Sequence, residues 1–225
     1  MIPIRDEMPT RRFPIVNYLL IAVNILVFVV MWLAGPSQEA LVYEFAMVPA
    51  NFANGVDLKD ITDIFTSMFM HAGLAHIAGN MLYLWIFGDN VEDRLGHFAY
   101  LVFYLVGGVV ASLAHLLTNP GSQIPTVGAS GAIAATLGAY LVLFPRSRVL
   151  TFIPLGFYMQ LRAIPASIVL GLWFVLQLFS GVLSLGGPEV GGVAFWAHIG
   201  GFVVGVLVGL LVGVRDRQYD KSVTW

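Results

Sequence analysis

The chain has 225 residues, 58% of them hydrophobic and only 11% charged, with a formal net charge of −2 and no cysteine. Its mean hydropathy is +0.84. A water-soluble domain carries about 25% charged residues, so this balance excludes one and indicates a polytopic membrane protein. The missing cysteines exclude a disulfide framework and a thiolate metal site.

The segment through Arg12 is polar, and the apolar run after it has no small-residue cleavage site. Residues 1–14 therefore read as an N-terminal tail rather than a signal peptide. Apolar windows then predict six helices, at 16–34, 74–91, 98–117, 130–144, 163–183 and 196–214, and a tail at 215–225. At about 20 residues per span, these fill the chain. The expected fold is all-α: one membrane domain over 1–225 with six transmembrane helices. The fourth helix is short for a span, so its ends are expected inside the bundle rather than at lipid.

The charges orient the bundle. Arg5, Arg11, Arg12, Arg94, Arg146, Arg148, Arg162, Arg215, Arg217 and Lys221 fall on one side, and of the eleven basic residues only Lys59 falls on the other. An excess of Lys and Arg marks the cytoplasmic face, which puts both termini in the cytoplasm. The second, fourth and sixth helices then run inward from the outer face. Their polar residues sit at one depth. His76 lies about 18 residues from Arg94, Ser130 about 16 from Arg146, and His198 about 17 from Arg215, or roughly 24–27 Å at 1.5 Å per residue. Reactive side chains inside a membrane point to function.

Serine hydroxyl is a weak nucleophile that needs an adjacent base, and imidazole is the usual one. Asp and Glu occur only in loops or at helix ends, so no carboxylate is expected to orient the base. The chemistry implied is a Ser130–His198 dyad. His76 and Asn80, spaced i, i+4, share a helix face. With the Ser130 amide they can donate hydrogen bonds to a developing oxyanion; a capped helix start is the plainer alternative. Gly201, Gly205, Gly209 and Gly213 line the helix below His198, Gly205 and Gly209 within about 20° of its direction. Ser130, Ala134 and Gly138 answer on the fourth helix, with Gly128 and Gly131 beside the serine. Such small faces let helices approach closely, and by themselves they mean packing only.

Other polar residues carry less. His71 and His115 read as structural, and His97 as cytoplasmic and exposed. Asn24 and Gln177 read as interhelical hydrogen bonds. No two histidines share a metal-ligand spacing, so no metal is expected. Neither a phosphate loop nor a nucleic-acid patch is present.

His76-Ile77-Ala78-Gly79-Asn80, Glu92-Asp93-Arg94-Leu95-Gly96, Gly128-Ala129-Ser130-Gly131, and Ala197-His198-Ile199-Gly200-Gly201 followed by Gly205 occur in this order along the chain. Together they resemble the rhomboid family of intramembrane serine proteases, in its six-helix bacterial form. The resemblance implies that Ser130 is the nucleophile, that His198 is the general base and later the acid, and that His76, Asn80 and the Ser130 amide form the oxyanion hole. It further implies transmembrane-segment substrates cut near the outer face at a small residue, no cofactor, and a bacterial plasma (inner) membrane. The fifth helix and the loop 184–195 would gate lateral entry; the loop's glycines suit a mobile cap and equally an ordinary flexible connection.

Two positions depart from the family pattern. Where some members carry a tyrosine stacked on the catalytic histidine, this chain has Ala134. Two readings stay open: a less rigidly held His198, or another aromatic in that role, with Phe195 and Trp196 the nearest in sequence. Where many members have a Trp-Arg pair in the first loop, this chain reads Ile61-Thr62-Asp63-Ile64. A non-catalytic, client-binding member of the fold would usually lack the serine or the histidine, and this chain has both. A transporter would want intramembrane carboxylates, which this chain lacks.

Overall fold

The computed structural model describes residues 1–155, 158–185 and 192–222. Among them lie β1 (Ile2–Asp6), α1 (Ile15–Leu33), α2 (Gln38–Phe45), α3 (Leu58–Ser67), α4 (Leu74–Leu95), α5 (His97–Thr118), α6 (Ser130–Leu143), β2 (Arg148–Leu155), β3 (Tyr158–Pro165), α7 (Ala166–Ser184) and α8 (Phe195–Ser222). Each of the six apolar windows is a helix. Ile15–Leu33, His97–Thr118, Ala166–Ser184 and Phe195–Gly213 are long and apolar enough to cross a membrane. α6 is a shorter apolar helix, and α4 carries polar residues at both ends.

α6 is the centre of the bundle. Every residue from Gly131 to Tyr140 is buried, as expected for a helix that is apolar all round. Its fourteen residues need not reach lipid at either end, because α4, α5, α7 and α8 surround it.

The expectation of an all-α fold with a plain N-terminal tail is corrected. β1, β2 and β3 form an antiparallel sheet in that order. β2 and β3 are a hairpin with Arg148 opposite Pro165 and Leu155 opposite Tyr158. Ile2 pairs with Phe152 and Asp6 with Val149, with a register shift between Pro3 and Arg5. The missed signal is a period of two: Val149 and Thr151 are fully buried while Arg148 is exposed. Asp6 then reaches the bundle. Tyr140 Oη and Asn90 Nδ2 both donate to its carboxylate, and burial raises its pKa above the usual value.

Polar groups clamp this arginine-rich end. The Glu92 carboxylate accepts the Val16 and Asn17 N–H groups at 2.9 and 2.6 Å, so an acidic side chain of α4 caps the positive end of the α1 dipole. His97 pairs with the same carboxylate. Asp93 accepts the Arg11 and Arg12 N–H groups. Asn24 Nδ2 donates to Leu20 O on its own helix.

The connection between α1 and α4 is folded, not loose. Asp57 and Asp60 form a capping box at the start of α3. From this connection Met47 O accepts the Thr126 N–H at 2.8 Å and Ser67 O accepts the Gly128 N–H at 2.9 Å. The strand-like approach to Ser130 is thereby pinned on two sides.

Candidate active site

Ser130 is the first residue of α6, and His198 lies in the first turn of α8. Between the two helices a stripe of small residues removes every intervening side chain. A Cβ on Gly201 would stand 2.1 Å from Gly131 O, one on Gly205 1.8 Å from Ala135 O, and one on Gly138 2.2 Å from Phe202 O. At Gly209 the nearest atom would be 2.9 Å away, and at Gly213 a Cβ would meet nothing among the described residues within 4 Å. The stripe therefore ends at Gly209. Gly131 serves a different neighbour, because a Cβ there would meet Ala111 of α5 at 2.5 Å.

With the backbones this close, His198 Nε2 comes 2.8 Å from Ser130 Oγ. The other ring nitrogen, Nδ1, lies 2.8 Å from Gln177 Oε1 on α7. An amide oxygen only accepts, so Nδ1 carries the proton. Nε2 is left as an acceptor for the serine hydroxyl. The histidine is buried, and the Trp173 ring sits 5.8 Å from it at 34°. The expected interhelical hydrogen bond of Gln177 thus ends on His198. The aromatic beside the imidazole is Trp173 rather than Trp196, whose Nε1 donates to Gly181 O. Trp173 and Gln177 are one turn apart on an aliphatic helix, and that spacing is the signal that could have found both.

His76 and Asn80 of α4 face the turn before Ser130. Gly128 has φ +131, and a Cβ there would sit 2.8 Å from His76 Nε2 and 3.7 Å from Asn80 Nδ2. Only glycine allows both that φ and that approach. Gly128 therefore shapes the turn and makes room for His76 instead of packing two helices. His76 Nδ1 accepts the Ala72 N–H at 3.4 Å, so its Nε2–H is the free donor. Asn80 Nδ2 is buried without an acceptor. A native structure seldom leaves such a donor idle unless it serves a ligand or a reaction.

His71 is buried at 1% exposure, with neither ring nitrogen hydrogen-bonded, and its ring meets that of His76 at 5.0 Å. Burial, with His76 beside it, pushes its pKa down to about 4. It is a neutral wall behind His76. His115 pairs with the Asn119 amide at the end of α5. A cavity of about 30 Å³ opens beside Ser130, lined by Gly128, Ser67, Met68, Ala111, Ser112 and Ala197 among others. Among the described residues no group of three or more His, Asp or Glu is arranged to hold a metal. Half of the expected mobile cap at 184–195, residues 186–191, lies outside the described residues.

The rhomboid domain family matches residues 59–215, a span that contains His76, Asn80, Ser130 and His198. The chain belongs to the rhomboid family. It is 32% identical to "Rhomboid protease GluP" of Bacillus subtilis over 204 residues, 89% of this chain and 35% of that protein. It is 29% identical over 178 residues to the human "Presenilin-associated rhomboid-like protein, mitochondrial", 76% of this chain and 45% of that protein. It is 35% identical over 165 residues to "Rhomboid-like protein 11, chloroplastic" of Arabidopsis thaliana, 70% of this chain and 55% of that protein. The chain thus spans between a third and about half of the length of these relatives. As a rhomboid with four helices able to span a bilayer, it is a multi-pass integral membrane protein.

Proposed function

We propose that this rhomboid is an intramembrane serine endopeptidase that cuts transmembrane segments of other membrane proteins near the outer face. The observation that carries the reading is the 2.8 Å contact between Ser130 Oγ and His198 Nε2, with Nδ1 held on its far side. Ser130 attacks the scissile carbonyl carbon as His198 Nε2 takes its proton. Negative charge builds on the carbonyl oxygen, where His76 Nε2–H, Asn80 Nδ2 and the Ser130 amide donate to it. The amine leaves with the proton from His198. Water, deprotonated by the same nitrogen, then hydrolyses the acyl-enzyme. The small cavity beside Ser130 suits a side chain of about one methyl group, which supports cleavage after a small residue.

In this reading the whole chain is one domain, six helices cross a bacterial plasma membrane, and the arginine-rich sheet and both termini face the cytoplasm. Leu58, Ile61 and Phe65 of α3 are exposed at i, i+3, i+7. That stripe supports a first loop resting on lipid at the outer face without a Trp-Arg pair.

A fluorophosphonate should label the purified protein at Ser130 and, in doing so, stop cleavage of a single-span substrate in proteoliposomes. A covalent adduct mapped to any other serine, or continued cleavage by the labelled protein, would overturn the reading. Asn80→Ala should lower kcat about 10²-fold with little change in KM, because an oxyanion donor acts only in the transition state. Unchanged kcat would remove Asn80 from the oxyanion hole.

A further inference from the structure

We infer that Gln177 is the positioning residue of the general base, so that α7 controls whether His198 can act. The inference rests on the Ser130–His198 reading above. Neutral imidazole has two tautomers, and only the one protonated at Nδ1 leaves Nε2 free to take the serine proton. No group on α6 or α8 is seen to make that choice: Ala134 stands one turn below the serine, and the stripe beneath His198 is glycine. α7 makes it. Gln177 Oε1 accepts from Nδ1 at 2.8 Å. One turn earlier, Trp173 packs 5.8 Å from the imidazole and 6.0 Å from Phe202. The base is thus held at its edge by Gln177 and along its face by Trp173, both from the same side of α7.

The helix that provides this grip is weakly embedded. Among its nineteen residues only Ala166, Val169, Leu170 and Gly181 are buried, while Leu172, Val175, Leu176, Phe179, Val182 and Leu183 are exposed. Few buried contacts mean a low cost of local displacement. Sideways movement of α7, as needed to admit a transmembrane segment, withdraws Gln177 from Nδ1. The base is then correctly set only when α7 has returned against α8, which couples substrate admission to chemistry. Gln177 is neutral, so it selects the tautomer without the added charge that a carboxylate would bring.

The test uses the full chain in proteoliposomes with a single-span substrate, following kcat, KM, the rate–pH profile and thermal unfolding. Gln177→Leu keeps the bulk and loses the acceptor. It should lower kcat about 10- to 100-fold, the scale of a misplaced catalytic group, with KM within about twofold of wild type and the fold intact. Gln177→Glu restores an acceptor to Nδ1. It should bring kcat back to within about threefold of wild type and move the acid limb of the profile to higher pH, because a carboxylate favours the imidazolium. His76 on α4 and His115 on α5 are the titratable groups whose charges reach His198, and both variants leave them in place. A packing role alone would leave Gln177→Leu near wild type and the acid limb unmoved in Gln177→Glu. Either result overturns the inference. Wild type run in parallel separates two failures. An inert wild type defeats the peptidase reading and this one with it, whereas an active wild type with an indifferent Gln177→Leu defeats only the role of Gln177.

Discussion

Ser130→Ala and His198→Ala are each expected to cut the cleavage rate of a single-span substrate by about 10³-fold or more, and the double variant to be no slower than either single one. In the proposed reading the two side chains form one chemical unit. Without Oγ no acyl-enzyme can form. Without Nε2 the hydroxyl keeps its proton and attacks poorly at neutral pH. Once one partner is gone, the other has nothing left to do, so the losses do not add. Both variants should fold. The serine sits at an N-terminal helix position where alanine is tolerated, and removing the imidazole takes away one ring from the Trp173 and Gln177 contacts. Cleavage assays of the two single variants and the double, alongside their thermal unfolding, decide the matter. Multiplicative losses in the double variant, or near-wild-type cleavage by either single one, would show that Ser130 and His198 do not act as a unit.

What could be read from the sequence follows from how far each signal reaches along the chain. Helix positions rest on runs of about twenty apolar residues, and the structure puts helices in all six windows. The nearness of Ser130 and His198 was readable too, because equal spacing from the arginine-marked helix ends puts their polar groups at one level and a glycine stripe marks the face of approach. The partner of His198 was not. Gln177 belongs to a helix with no motif, and only the packing of α7 on α8 brings its Oε1 to Nδ1. The sheet was hidden for a similar reason. Ile2–Asp6 is too short to declare itself, and its partner strand begins after Ser147, far along the chain. Glu92 and Asp93 looked like a helix end in sequence, yet they anchor the start of α1 and the preceding tail. Long-range polar pairings of this kind leave no local period to detect.

Gly205→Ala should be more damaging than its single added methyl suggests. The new Cβ would stand 1.8 Å from Ala135 O and 2.9 Å from Ala139 N. Both are backbone atoms of a helix buried on all sides, so no side chain can swing away. α6 and α8 must part by about 1.5 Å before ordinary contact is restored, and overpacking of this kind costs about 1–3 kcal/mol or more. The separation falls two turns below His198, on the helix pair that holds the 2.8 Å contact with Ser130. A shift of about 1 Å in a reacting pair costs on the order of 10²-fold in rate. The expected result is therefore a lower unfolding temperature together with a fall of about 10²-fold in both substrate cleavage and fluorophosphonate labelling of Ser130. Gly213→Ala is the matched control, two turns further along the same helix and beyond the stripe, where a Cβ meets nothing among the described residues within 4 Å. Alanine there favours the helix by about 1 kcal/mol, so stability and cleavage should be unchanged or slightly raised. If the two variants behaved alike, close backbone contact between α6 and α8 would not be what brings His198 to Ser130.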